Sequence, residues 1–152
     1  MKKYLFILLA FLGCMTMTSC LESGWEELDT YDGTEITGLV GTYFRYIDTS
    51  ATIPASGQNK VLQVQLNTAN AQRDAEAGTL SFDVTVPASY TGPAVKASEL
   101  VVIVNLSTAA VVEPVEGAPK FGVPGDWSKP NKYKVTAANG DTQIWTVTAT
   151  LK

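Results

Sequence analysis

Histidine is missing altogether from the 152 residues. Its absence removes the side chain that most often works as a general base near neutral pH, and the commonest nitrogen ligand for zinc. Cysteine is scarce too, at 2 residues, Cys14 and Cys20. Too few thiolates are present for a zinc cage. Basic residues are outnumbered, 11 Lys and Arg against 15 Asp and Glu. Nucleic-acid binding needs a basic patch, so this balance argues against it. Long apolar runs are absent as well. The run over residues 4–12 is too short to span a bilayer, which takes about 20 apolar residues.

That short run has a different meaning. Lys2-Lys3 stand before it, and Thr18-Ser19-Cys20 close the segment. A basic start, an apolar middle and a small-residue end make a secretory leader. Met17-Thr18-Ser19-Cys20 resembles the lipobox of bacterial lipoproteins, in which the peptide is cut before the cysteine and the cysteine is acylated. It departs from the commonest form, which has Leu first. Cys14, after Leu12-Gly13, is a competing site, but it leaves a shorter apolar core. A lone thiol in an exported chain calls for a role, and acylation of Cys20 supplies one. Residues 1–19 are then a signal peptide. The mature chain has 133 residues, one cysteine, and 9 basic against 15 acidic residues. No internal disulfide is open to it, and its length suits one domain.

Six of those acids, Glu22, Glu26, Glu27, Asp29, Asp32 and Glu35, lie between Cys20 and Ile36 with no basic residue among them. From Ile36 onward acids and bases number nine each. A self-repelling stretch with little to bury reads as a flexible tether over residues 20–35. Acids close behind a lipidated cysteine also resemble the export signal of surface lipoproteins in the Bacteroidota. Trp25 and Leu28 are its apolar residues able to dock on a domain or a membrane interface.

Residues 36–152 read as strands. Thr42 to Ile47 is rich in aromatic and β-branched residues. Val61, Gln63 and Gln65 alternate with Leu62, Val64 and Leu66. Leu80, Phe82, Val84 and Val86 alternate with Thr79, Ser81, Asp83 and Thr85. Residues 100–106 are nearly all apolar, as in a strand covered on both faces. Val111-Val112, residues 132–137 and residues 142–151 complete the set. Clusters of Gly, Pro, Asn and Ser separate the runs. The one helix candidate is 70–77, short and polar. The fold class expected is all-β: an antiparallel β-sandwich of about seven strands, with a small barrel as the runner-up.

The last hairpin permits a sharper expectation. Tyr133, Val135 and Ala137 form one apolar set, and Trp145 and Val147 another. All are odd-numbered. Opposed residues of an antiparallel pair have position numbers with a constant sum, and a two-residue Asn139-Gly140 loop makes that sum odd. It would split the two apolar sets onto opposite faces. A three-residue loop ending in Gly140 at positive φ restores the match, placing Tyr133 opposite Trp145 and Val135 opposite Gln143.

Pro124-Gly125-Asp126-Trp127-Ser128-Lys129-Pro130, Tyr133-Lys134-Val135-Thr136-Ala137, Asn139-Gly140 and Ile144-Trp145-Thr146-Val147-Thr148 together resemble the ending of immunoglobulin-like or cadherin-like sandwich modules in Bacteroidota lipoproteins. Residues 100–107, Val112-Glu113-Pro114 and Glu35-Ile36-Thr37-Gly38 fit the same modules. The resemblance implies a fold and a habitat: an outer-membrane lipoprotein, facing the periplasm or the cell surface. It implies no catalytic residues.

Catalysis is not expected. Asp83, Glu99, Glu113, Glu116, Asp126 and Asp141 supply carboxylates, but none stands in a recognisable motif. Neither Asp126 nor Asp141 has an acidic partner at calcium-loop spacing. No Ser-x-x-Lys occurs, and Ser128-Lys129 sits in a turn. No cofactor is called for. The expected mode of action is binding, to a glycan or to an envelope protein, with the membrane as the other partner through Cys20. Glycan sites use aromatic faces ringed by amides or carboxylates. Tyr43, Tyr46, Tyr90, Phe121 and Trp127 are the candidates. Tyr90, Trp127 and Phe121 are put forward as ligand contacts, with Tyr90 the most exposed. For Trp127 the competing role is to cap one end of the fold. Trp145 and Tyr133 are in phase with apolar neighbours and belong to the core.

Overall fold

The structure is a computed structural model, and it describes residues 30–152. The signal peptide, Cys14, Cys20, Trp25 and Leu28 lie outside the described residues. Seven strands follow in chain order: β1 (Ile36–Thr52), β2 (Asn59–Asp74), β3 (Thr79–Thr85), β4 (Leu100–Leu106), β5 (Val111–Val115), β6 (Asn131–Thr136) and β7 (Thr142–Leu151). No α-helix occurs among the described residues, and a single 3-10 turn, Ala97–Glu99, precedes β4. The class is all-β with seven strands, as expected. The strands belong to one mixed sheet in the order β4-β1-β2-β3-β7-β6-β5, curled nearly into a barrel. The barrel alternative is therefore the better description of the architecture. All neighbours pair antiparallel except β3 and β7, which are parallel.

Two long strands cause the curl. β2 pairs with β1 through its first half, as at Leu66 and Thr42, and with β3 through its second, as at Thr68 and Val84. β1 shares itself in the same way between β2 and β4. Register shifts fall at Gly38 and Gly41 of β1 and between Ala69 and Gln72 of β2. Such bulges bend a strand and add twist, so both strands turn the corner. Asn70 takes the bulge at φ 51°, and its amide donates to Asp83 Oδ2 at 2.7 Å. Residues 70–77 are thus not helical. Their side chains are nearly all exposed, so no period marks them, and backbone pairing with β3 decides their state.

The core lies inside the curl. Phe44 and Leu66 meet Leu80, Phe82, Val84, Val102, Val135 and Val147 there, and Tyr133, Trp145 and Ile36 are fully buried among them. Burying each large apolar side chain is worth about 1.5–3 kcal/mol. In β4 only Leu100, Val101 and Val102 are buried, while the later residues are partly open.

The last hairpin has the expected register. Tyr133 opposes Trp145 and Val135 opposes Gln143. Ala137 N donates to Asp141 O at 2.8 Å, Gly140 N donates to Ala137 O at 3.0 Å, and Gly140 has φ 94°. The loop is 138–140, three residues long.

The end of the segment read as a tether is bound to the domain. Trp145 Nε1 donates to Thr34 O at 2.9 Å. Glu35 and Ser107 exchange two bonds, Ser107 N to Glu35 O at 2.9 Å and Glu35 N to Ser107 Oγ at 3.1 Å. Asn139 N donates to Tyr31 O at 3.2 Å, and Arg73 pairs with Glu35 at 2.8 Å. The compact unit accordingly begins at Tyr31 rather than at Ile36.

Candidate binding groove at the barrel seam

Curling brings the two edge strands, β4 and β5, to face a gap. Residues 118–127 enter it and lie along β4. Gly122 N donates to Val102 O at 2.9 Å, Gly125 N to Leu100 O at 3.0 Å, and Trp127 N to Ala97 O at 2.8 Å. Gly125 is required by contact, since a Cβ there would stand 2.2 Å from Pro119 Cβ. On the β5 side this segment makes no ladder. What remains is a groove of about 560 Å³ lined by Val112, Glu113, Pro114, Lys120, Phe121 and Tyr133.

Pro114 explains why β5 ends the sheet. It pairs with Tyr133 but has no N–H to give, so it suits an edge strand. Val112 and Pro114 give the groove apolar material. Phe121 is half-buried and stacks on Tyr133, with centroids 4.1 Å apart and planes at 24°. Trp127 completes the cluster, 5.8 Å from Phe121 and 6.1 Å from Tyr133. Tyr133 is fully buried and its hydroxyl donates to Pro119 O at 2.8 Å, tying the inserted segment to β6. Burial pushes the Tyr133 phenol well above its usual pKa, so it stays a proton donor. Two charges complete the groove: Lys120, exposed, and Glu113, which pairs with Lys134 at 3.1 Å.

The Asp126-Trp127-Ser128 motif is a turn that seats the indole. Ser128 donates to Asp126 Oδ1 from both its hydroxyl, at 2.6 Å, and its N–H, at 2.9 Å. These bonds hold the Asp126 carboxyl below the usual range. Asn131 Nδ2 clamps the same turn through Asp126 O at 2.9 Å.

The three aromatics named as ligand contacts separate here. Phe121 lines the groove. Trp127 is 0% exposed, so its ring meets protein and not ligand, and packing is its role. Tyr90 belongs to another group, edge-on to Tyr46 at 5.9 Å and to Phe44 at 6.5 Å, with its hydroxyl donating to Pro93 O at 3.0 Å. It is half-buried, less open than its Ser-Tyr-Thr-Gly-Pro setting implies. Tyr46 stacks on Phe44. Most of the acids are engaged locally. Asp83 pairs with Lys152, Glu116 with Lys132 and Glu99 with Lys96, and Asn139 bonds Asp141. Among the described residues no three His, Cys, Asp or Glu side chains converge.

Val112, Pro114 and Lys120 were not singled out by sequence as groove residues. Proline inside a β-branched run was the available signal, because it marks an edge. Nothing local marks Lys120.

Comparison with known proteins matches residues 36–148 to the DUF5018-related family. Among solved structures the chain is similar to a candidate secreted protein from Bacteroides fragilis, with 40% identity and a TM-score of 0.66 over 80% of this chain and 97% of that one. Comparison with curated proteins finds no match.

Proposed function

The chain belongs to the DUF5018-related family, and from that premise we propose that it is a cell-envelope protein, lipid-anchored through Cys20, that acts by binding as an accessory in glycan capture. Its leader and its secreted-class Bacteroides neighbour support the location. The seam groove carries the binding reading. It is an open cleft of about 560 Å³ with Phe121 and Tyr133 in its wall and, at its rim, the exposed Lys120, which has no carboxylate partner among the described residues. An aromatic wall takes the C–H face of a sugar, and Lys120 and Glu113 are placed to bond hydroxyls. The reading is of a binding protein and not of an enzyme.

The test is a chain beginning at Leu21 titrated against a panel of neutral glycans, beside its Phe121→Ala variant. Binding of at least one glycan, weakened about tenfold by the substitution, is the expected result; tenfold corresponds to about 1.4 kcal/mol. A second reading, a protein-interaction module of a surface assembly, is favoured by the open edge of β5 beside the groove. Failure to bind any glycan, with specific capture of an envelope protein, would replace the first reading by the second.

A further inference from the structure

The outer face of β1 and β2 carries an arrangement separate from the groove. Successive strand residues point to opposite faces. Phe44 is buried in the core and Tyr46 packs beside it, so Tyr43, Arg45 and Ile47 point outward. Their direct partners on β2 are Gln65, Gln63 and Val61. The face is therefore a ladder of three rows: tyrosine and amide, guanidinium and amide, aliphatic and aliphatic. Rows lie about 7 Å apart along the strands and partners about 5 Å apart across them. Two rows match the size of one sugar ring.

Each row has a distinct capacity. Tyr43 is half-buried and leans back over Gly41, where a Cβ would stand 3.3 Å from its Cε2 and its hydroxyl. The ring is thus laid along the sheet rather than standing free. Arg45 is exposed, and its Nε donates to Gln63 Oε1 at 2.7 Å. That bond orients the guanidinium and leaves its two terminal nitrogens unused. Arg73, Lys96, Lys132, Lys134 and Lys152 have carboxylate partners, whereas Arg45 has none among the described residues. Asp48, the acid nearest along β1, belongs to the opposite face, and its carboxylate accepts from Ser50 N at 2.9 Å and Ser50 Oγ at 2.6 Å. Ile47 and Val61 continue the outer face as apolar surface, 61% and 67% exposed.

An oriented guanidinium with two free nitrogens is a fork for a planar or tetrahedral oxyanion. A laid-down tyrosine beside it accepts the C–H face of a sugar, and the Gln65 amide, opposite Tyr43, offers both a donor and an acceptor to hydroxyls. In a chain of net charge −4, an unpaired cation held in place on a polar, aromatic face selects for an anion. We propose that this face is a second binding site, for a sugar bearing a carboxylate or sulfate group. Arg45 grips the anionic group, Tyr43 underlies the ring, and Gln63 and Gln65 meet its hydroxyls. The choice of a sugar rests on the glycan-capture reading; the site and its preference for an anion do not.

The full chain, purified in detergent, is titrated calorimetrically with oligogalacturonate, with a sulfated galactan oligomer and with a neutral galactan oligomer. At least one anionic oligomer binds, and the neutral one binds at least tenfold more weakly. Arg45→Ala lowers the anionic affinity at least tenfold. Arg45→Lys, which keeps the charge but not the fork, lowers it several-fold. Tyr43→Ala lowers it about tenfold. The Arg45 variants alter an exposed side chain, and an unchanged melting temperature verifies their fold. Which oligomer binds distinguishes carboxylate from sulfate. Absence of binding by both at millimolar concentration, or wild-type affinity in Arg45→Ala, would overturn the proposal. Absence of any neutral-glycan binding that Phe121→Ala weakens would sink the groove reading and leave this site standing.

Discussion

Trp145 is among the largest fully buried side chains, so a substitution there removes much. It is 0% exposed, and its Nε1 donates to Thr34 O at 2.9 Å. A tryptophan buries about 200 Å², which at roughly 25 cal/mol per Å² is about 5 kcal/mol of transfer free energy. Alanine recovers a little of this through its own Cβ, and the cavity collapses only in part. The expected cost of Trp145→Ala is about 3–5 kcal/mol, a large share of a domain stability of about 5–15 kcal/mol. Urea unfolding measures it, with the midpoint falling by about 2 M at an ordinary m-value. If the alanine variant is too unstable to purify, Trp145→Phe keeps the fold while removing the donor. The indole also ties residues 31–35 to the barrel, and this link is measurable. Starting the chain at Ile36 leaves Nε1 buried without its acceptor, at about 1–3 kcal/mol. In Trp145→Phe the same truncation has no such donor to strand, so the double-mutant cycle should show a coupling of about 1 kcal/mol. A loss below about 1 kcal/mol for Trp145→Ala would refute the burial. Zero coupling would refute the role given to residues 31–35.

Three further outcomes are expected. Gly140→Ala places an L-residue at φ 94°, where open space surrounds the Cβ, so its cost is purely one of backbone conformation, above about 1 kcal/mol; equal stability of the two proteins would contradict the turn. Hydrogen bonds from Ser50, Lys152 and Ser128 hold Asp48, Asp83 and Asp126 below the usual carboxyl range. Their contribution to stability is complete above the unfolded value of about 4 and is lost as pH falls through the folded values; a urea midpoint that rose on acidification below about pH 4 would be the wrong sign. Mass spectrometry of the membrane-extracted protein should find an N-terminal acylated Cys20, and lipid on Cys14 or an intact Met1 would end that assignment.

Legibility followed periodicity. β3, β6 and β7 alternate buried and open residues, so their extents and facing were readable, and parity alone fixed the register of Tyr133 against Trp145. The second half of β2 has no buried residue, hence no period to read, and it overlaps the one helix candidate, 70–77. Residues 31–35 bond largely through backbone atoms, which their acidic side chains do not disclose. Curling into a barrel depends on shifts at Gly38, Gly41 and Asn70, each a local event without a pattern. The groove was half visible. Phe121 stood out by type, but its wall formed only when residues 118–127 filled the gap between two edges.

The place of β7 in the sheet bears on when the molecule becomes a molecule. The last ten residues of the ladder, Thr142–Leu151, lie between β3 and β6. Until they arrive, two strands stand with open edges, and the two halves of the sheet have no strand in common. Of the seven strands, synthesis delivers that keystone last. Its parallel contact with β3, Thr79 against Thr146, closes a long loop, which is slow to form. A sheet built in this order cannot close until β7 is made. The same order sets its vulnerability, because a chain stopped short of Thr142 would retain both unpaired edges and be driven toward aggregation.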